Sequence, residues 1–194
     1  EIAVHYKDKG VIGFDLAGAE ENNPAKKHRE AFYLIQNNNI NATIHAGEAF
    51  GPSSIHQAIH YCGANRIGHG TRLYEDRDLM NYVNDHRIAL EICLTSNVQV
   101  RSVDSIEVHP FKQYLDEDIR VTLNTDSRLI SNTTLTDEYL LAAKTFNLTI
   151  QNLRTIIING FKSAFLPHNE RREIINLVIS EMESNFSSEM SPTT

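Results

Sequence analysis

Five short apolar runs punctuate the chain, at residues 11–16, 42–45, 65–68, 88–93 and 119–123. They are rich in Ile, Val, Leu and Phe and mostly apolar throughout, the pattern of strands buried on both faces. Longer amphipathic stretches separate them. Residues 25–37 carry Ala31, Tyr33, Leu34 and Ile35 toward one side of a helix. Residues 53–62 open on Ser53 after Pro52, a helix-start signal. Residues 76–84 place Leu79, Met80 and Val83 at helical spacing. Ile150, Leu153, Ile156, Ile157 and Gly160 follow a helical period, as do Ile174, Ile175, Val178, Ile179 and Met182. The apolar runs begin roughly 23 to 31 residues apart, the rhythm of successive β-α units in a parallel sheet. No linker divides the chain. Residues 1–183 read as one α/β unit and the Ser-rich residues 184–194 as a flexible polar tail.

Polar residues follow each run. The first leads into Asp15-Leu16-Ala17-Gly18-Ala19-Glu20, the second into His45-Ala46-Gly47-Glu48 and the third into Gly68-His69-Gly70. The fourth leads into Thr95-Ser96-Asn97 and the fifth into Asn124-Thr125-Asp126-Ser127. Reactive groups gather at the C-terminal ends of all strands in a (β/α)8 barrel, whereas a doubly wound sheet uses one switch point. The pattern therefore predicts a TIM-type barrel of which this chain holds five β-α units, strands 4 to 8. Residues 1–6 read as the middle of a helix, which places the remaining units before residue 1 as an expectation.

Composition narrows the partners. The 194 residues are 41% hydrophobic and 22% charged, ordinary for a globular domain, with a net charge of −7 that argues against nucleic acid. No apolar run approaches the ~20 residues a membrane helix needs. Cys62 and Cys93 stand far apart, which predicts free thiols in a reducing, cytoplasmic compartment.

His45, His69 and Asp126 are candidate ligands or bases for a divalent metal, and nitrogen with carboxylate oxygen suits a catalytic zinc. Glu48, three residues after His45, reaches the same end of the sheet as a proton donor or acceptor. His56 and His60 are four apart on a helix without the Glu of a zinc-protease motif, so they read as a solvated face. His5, His28, His86, His109 and His168 have no evident partner in the sequence. There is no Gly-rich phosphate loop. The absence of Cys-x-x-Cys excludes the cysteine-ligated cytidine-deaminase type of site.

At Asp15-Leu16-Ala17-Gly18, His45-Ala46-Gly47-Glu48, Arg66-Ile67-Gly68-His69-Gly70 and Leu123-Asn124-Thr125-Asp126 the sequence resembles the adenosine deaminase family, in order and spacing. Residues 159–167 look like that family's closing segment. The resemblance implies hydrolysis of adenosine and 2'-deoxyadenosine to inosine and ammonia in purine salvage, at one zinc in a (β/α)8 barrel. It implies that His45 and Asp126 are zinc ligands and that Glu48 protonates the purine N1. It implies that His69 orients and helps deprotonate the attacking water, and that the Gly18 N–H holds the purine N3.

Two departures from the family pattern change the expectations. The family takes two further zinc ligands from a His-x-His motif, which this sequence lacks, so the chain alone is expected to bind zinc weakly and to be inactive. A second Asp, expected to contact the purine N7, is replaced by Ser127, whose hydroxyl can donate or accept. That keeps open a related 6-aminopurine substrate such as adenine or a modified AMP, for which Arg72, Arg101 and Arg128 would be the candidate phosphate contacts. A truncated, non-catalytic product is the alternative from another class. Five barrel strands would leave two open edges, so self-association or pairing with a missing half is expected.

Overall fold

The computed structural model describes residues 1–186. Five strands alternate with helices: α1 (Ile2–His5), β1 (Gly13–Leu16), α2 (Arg29–Asn37), β2 (Asn41–Ala46), α3 (Gly51–His60), β3 (Arg66–His69), α4 (Arg77–Asp85), β4 (Ala89–Ile92), α5 (Leu94–Gln99), α6 (Phe111–Asp116), β5 (Val121–Leu123), α7 (Arg128–Ser131), α8 (Leu135–Thr145), α9 (Ile150–Ser163) and α10 (His168–Phe186). Helix α10 includes residues 184–186, and residues 187–194 of the expected tail lie outside the described residues. All strand pairs are parallel and their order is β1-β2-β3-β4-β5. That monotonic order has no switch point, which is how a barrel winds and an open doubly wound sheet does not. Among the described residues β1 and β5 are the edges.

Each apolar run became a strand, but the strands are not apolar on both faces. The register aligns Phe14 with Ala42, and Leu16 with Ile44 and Ile67. These side chains belong to, or pack against, the core between the sheet and its helices, which also holds Phe32, Ile55, Ile59, Met80 and Tyr114. The alternate positions align Asp15 with Thr43 and Arg66, His45 with Gly68 and Glu91, and Glu91 with Thr122. This opposite face is polar and knitted together. Arg66 Nε lies 2.9 Å from Glu91 Oε1, and Thr43 donates to Glu91 at 2.5 Å. The guanidinium of Arg66 also stacks 3.6 Å from the centre of the Phe165 ring. The sheet therefore alternates, apolar toward the helices and polar toward the concave side, where the side chains of a barrel lumen lie.

The short helices α5 and α6 had no periodic signal to announce them, since each spans only 6 residues. Helix α8 carries a capping box in which Thr134 accepts from the Asp137 N–H and Asp137 accepts from the Thr134 N–H. Cys62 and Cys93 are buried and free, as expected.

Candidate active site

The strand ends bring His45, His69 and Asp126 together. Each offers one ligand atom, and these atoms lie within 4.8 Å of one another. The imidazoles of His45 and His69 meet edge to face with centroids 4.9 Å apart. His45 sits at the end of β2 on the concave side. The neighbouring strand makes room for it at Gly68, where a Cβ would stand 3.1 Å from His45 Nδ1 and 3.2 Å from its Cα.

His69 arrives by a different route. Strand register continues position 69 on the helix-facing side, beside the buried Ala46. A φ of 65° turns the chain out of the strand conformation there and returns the imidazole to the site. Asp126, with φ 52°, is held in the same left-handed region. For a non-glycine residue this conformation costs on the order of 1–2 kcal/mol, and such strain gathers at functional positions. Ser96, from α5, donates to Asp126 Oδ2 at 2.7 Å and steadies it.

Glu48 is placed by Glu20, which sequence reading left unassigned. One carboxylate oxygen of Glu20 accepts the N–H of Glu48 at 2.9 Å and of Ala49 at 3.3 Å. The other accepts the N–H of Gly47 at 3.0 Å and the Ser54 hydroxyl at 2.9 Å. Gly47 is required at this turn: its φ is 73°, and a Cβ would stand 2.4 Å from Ile55 Cδ1. The carboxyl of Glu48 then lies 3.4 Å from His69 Nδ1, with Asn97 Nδ2 donating to its Oε1 at 2.7 Å. Asn97 Nδ2 also lies 3.0 Å from His69 Nδ1. His109, without a partner in the sequence, is buried behind them, its Nε2 3.2 Å from Asn97 Oδ1.

The electrostatics separate the roles. Burial pushes the Glu48 carboxyl above its ordinary value of 4.5, outweighing the Asn97 hydrogen bond, and the Glu20 charge adds to the rise. Burial lowers His69 to about 4, with the neighbouring His45 assisting. Asp15, its Oδ1 3.6 Å from His45 Nδ1, raises the His45 pKa against the opposing effect of burial. One residue is thus biased to carry a proton and its neighbour to remain a neutral imidazole.

The donor set fits a zinc ion. Imidazole nitrogen and carboxylate oxygen are its usual ligands, and the ligand atoms of His45, His69 and Asp126 converge within 4.8 Å of one another. The remaining expected residues lie at the rim. Gly18 lines a cavity of about 200 Å³ with Leu16, Glu20, His45, Phe50 and Ser54. Ser127 is exposed at the start of α7, and its side chain makes no capping hydrogen bond. Arg72 is tied to Glu75 at 2.6 and 3.0 Å, whereas Arg101 and Arg128 are exposed. His56 and His60 meet on α3 with centroids 4.3 Å apart, away from this cluster.

A family model described as adenosine deaminase matches residues 1–181. The chain belongs to the adenosine deaminase family. The adenosine deaminase of Mycobacterium avium (strain 104) is 45% identical over 194 residues, covering 92% of this chain and 53% of that protein. The adenosine deaminase of Mycobacterium leprae (strain TN) is 44% identical over 190 residues, covering 92% of this chain and 52% of that protein. This member of the family therefore spans about half the length of the curated relatives it matches. Among solved structures, an adenine deaminase from Arthrobacter aurescens superposes with a TM-score of 0.85 at 24% identity, covering 94% of this chain and 57% of that one. The N6-methyl-AMP deaminase from Arabidopsis thaliana superposes with a TM-score of 0.83 at 25% identity, covering 93% and 52%. The fold is that of the family's barrel, of which the described residues form five strands.

Proposed function

We propose that the protein deaminates adenosine and 2'-deoxyadenosine hydrolytically, giving inosine-type products and ammonia at a zinc site. The meeting of Glu48 with His45, His69 and Asp126 at one end of the sheet carries this reading. His45 and Asp126 would hold the zinc, and the family resemblance assigns further ligands to a His-x-His pair that this sequence does not contain. When bound, the zinc supplies Lewis-acid activation of water.

The chain's own residues do the rest. Glu48, biased toward its protonated form, hands a proton to the purine N1 and leaves C6 electron-poor. His69 orients the water whose oxygen adds to C6. One of the water's protons goes to the C6 nitrogen, which departs as ammonia as its C–N bond breaks, and the other returns to the Glu48 carboxylate. The Gly18 N–H holds the purine N3, and the Ser127 hydroxyl faces N7. Zinc and these contacts remain part of the proposal, as does a cytoplasmic location.

Adenosine is preferred because the 45%-identical relative is an adenosine deaminase, whereas the adenine and N6-methyl-AMP deaminases match at 24% and 25%. The engagement of Arg72 with Glu75 also disfavours a phosphorylated substrate. Ser127 favours the second reading, a related 6-aminopurine.

The test follows adenosine by ultraviolet absorbance in the zinc-loaded protein that carries this chain, with adenine and N6-methyl-AMP as competing substrates. Turnover of adenosine is expected, falling about 100-fold or more in Glu48→Gln. Full turnover in that variant would sink the assignment, and faster turnover of a competing purine would replace the substrate. The 194-residue chain alone is expected to be inactive.

A further inference from the structure

The polar cluster behind the site has one consistent assignment of hydrogens, and it starts from a main-chain group. The Phe111 N–H donates to His109 Nδ1 at 3.0 Å. A main-chain N–H can only donate, so Nδ1 of His109 is the unprotonated nitrogen. Burial holds that ring neutral, at about 4, so its single proton sits on Nε2. His109 Nε2 therefore donates to Asn97 Oδ1 at 3.2 Å. The amide of Asn97 can then turn only its NH2 toward the site. One hydrogen goes to Glu48 Oε1 at 2.7 Å and the other to His69 Nδ1 at 3.0 Å. Every donor and acceptor of the Asn97 side chain is used, and the flipped amide would set its NH2 against the His109 Nε2–H.

We propose that His109 is a positioning residue which, anchored by the Phe111 main chain, locks the Asn97 amide so that one NH2 group orients both Glu48 and His69 and keeps the His69 proton on Nε2. The proposal rests on the deaminase reading for its effect on catalysis, but not for the hydrogen assignment. Asn97 and His109 touch neither the purine nor the metal in that reading. They act through the two side chains that do. The path runs from the Phe111 main chain at the start of α6, through His109 and the Asn97 side chain of α5, to His69 at the tip of β3.

The test has two arms. In the 194-residue chain, nitrogen-15 NMR of the histidine rings is expected to show His69 with an unprotonated Nδ1 and a protonated Nε2. Asn97→Asp, which removes the donor, is expected to move the His69 proton to Nδ1. A His69 with its proton on Nδ1 in the unaltered chain would overturn the proposal, as would an Asn97→Asp variant with an unchanged ring.

In the zinc-loaded protein, His109→Phe keeps the volume and removes both hydrogen bonds. It is expected to lower kcat about 10- to 100-fold with little change in KM, and His109→Gln, which can still donate to Asn97, is expected to recover most of that loss. Equal loss in both variants, at unchanged melting temperature, would mean that His109 only fills space. Should His109→Phe not fold, the His109→Gln and Asn97→Asp measurements decide alone. If the protein proves not to deaminate adenosine while His69 holds its proton on Nε2, the functional reading fails and the hydrogen assignment stands.

Discussion

Glu48 is held at a cost to the fold. Its folded-state pKa is raised above 4.5, chiefly by burial. Below that value the carboxyl is protonated in both folded and unfolded chains and contributes no difference. As pH rises from 4.5 toward the raised folded value, the unfolded chain ionises this carboxyl while the folded one keeps its proton, so stability declines; above the folded value both are ionised and the loss levels off. Glu48→Gln is therefore expected to melt at a higher temperature than the parent at pH 7, with the gap closing toward pH 4, in thermal scans with chelator present. An equal gap at both pH values would show that ionisation is not the cause. The four residues of the site were legible because each follows an apolar run. Asn97 was visible only as part of a polar strand end, and the role of His109 not at all, because its partner lies 12 positions away across the loop between α5 and α6 and no spacing rule connects them. Glu20 was likewise passed over, since an acidic residue in a loop has no signature until three main-chain N–H groups close around it.

Among elements, the strands were the most readable and the short helices the least. All five runs became strands within a few residues, because burial against helices demands Ile, Val and Leu whatever the register. The polar concave face was misread as apolar, since single residues such as Thr43 and Glu91 barely interrupt a short run. Helix α8 did carry a readable start in Thr134 and Asp137. The turn after β2 depends on a residue from the loop after β1, and this gives an element-level expectation. Glu20→Ala leaves the N–H groups of Glu48 and Ala49 without their acceptor, whereas the Gly47 N–H keeps the Ser54 hydroxyl at 2.7 Å. Leaving such donors unsatisfied costs about 1–3 kcal/mol each where water cannot reach them. Hydrogen exchange at the Glu48 and Ala49 amides is expected to accelerate, while amides of β4 stay protected. Unchanged exchange at Glu48 would remove Glu20 from this role.

For the molecule as a whole, the sheet has two unpaired edges, β1 and β5, among the described residues. Beside β5 lies an apolar groove of about 610 Å³, lined in part by Leu123, Leu135, Tyr139, Ile157 and Phe161. Leu129 and Ile130, in α7, are 95% and 84% exposed. Unpaired strand edges beside apolar surface recruit other chains. Light scattering of the purified 194-residue chain is expected to give a mass above that of one copy, and a clean monomer with cooperative unfolding would contradict this. The winding of the sheet was legible from the spacing of its runs, but no residue pattern states which edges meet a neighbour. The left-handed conformations of His69 and Asp126 carry a consequence for laboratory evolution. A library rewarded only for surviving heat would replace these positions, and the buried Glu48, early, because relaxed substitutes exist for each. Variants enriched by heat would then become progressively worse catalysts, and the residues they discard would trace the outline of the site without any substrate having been supplied.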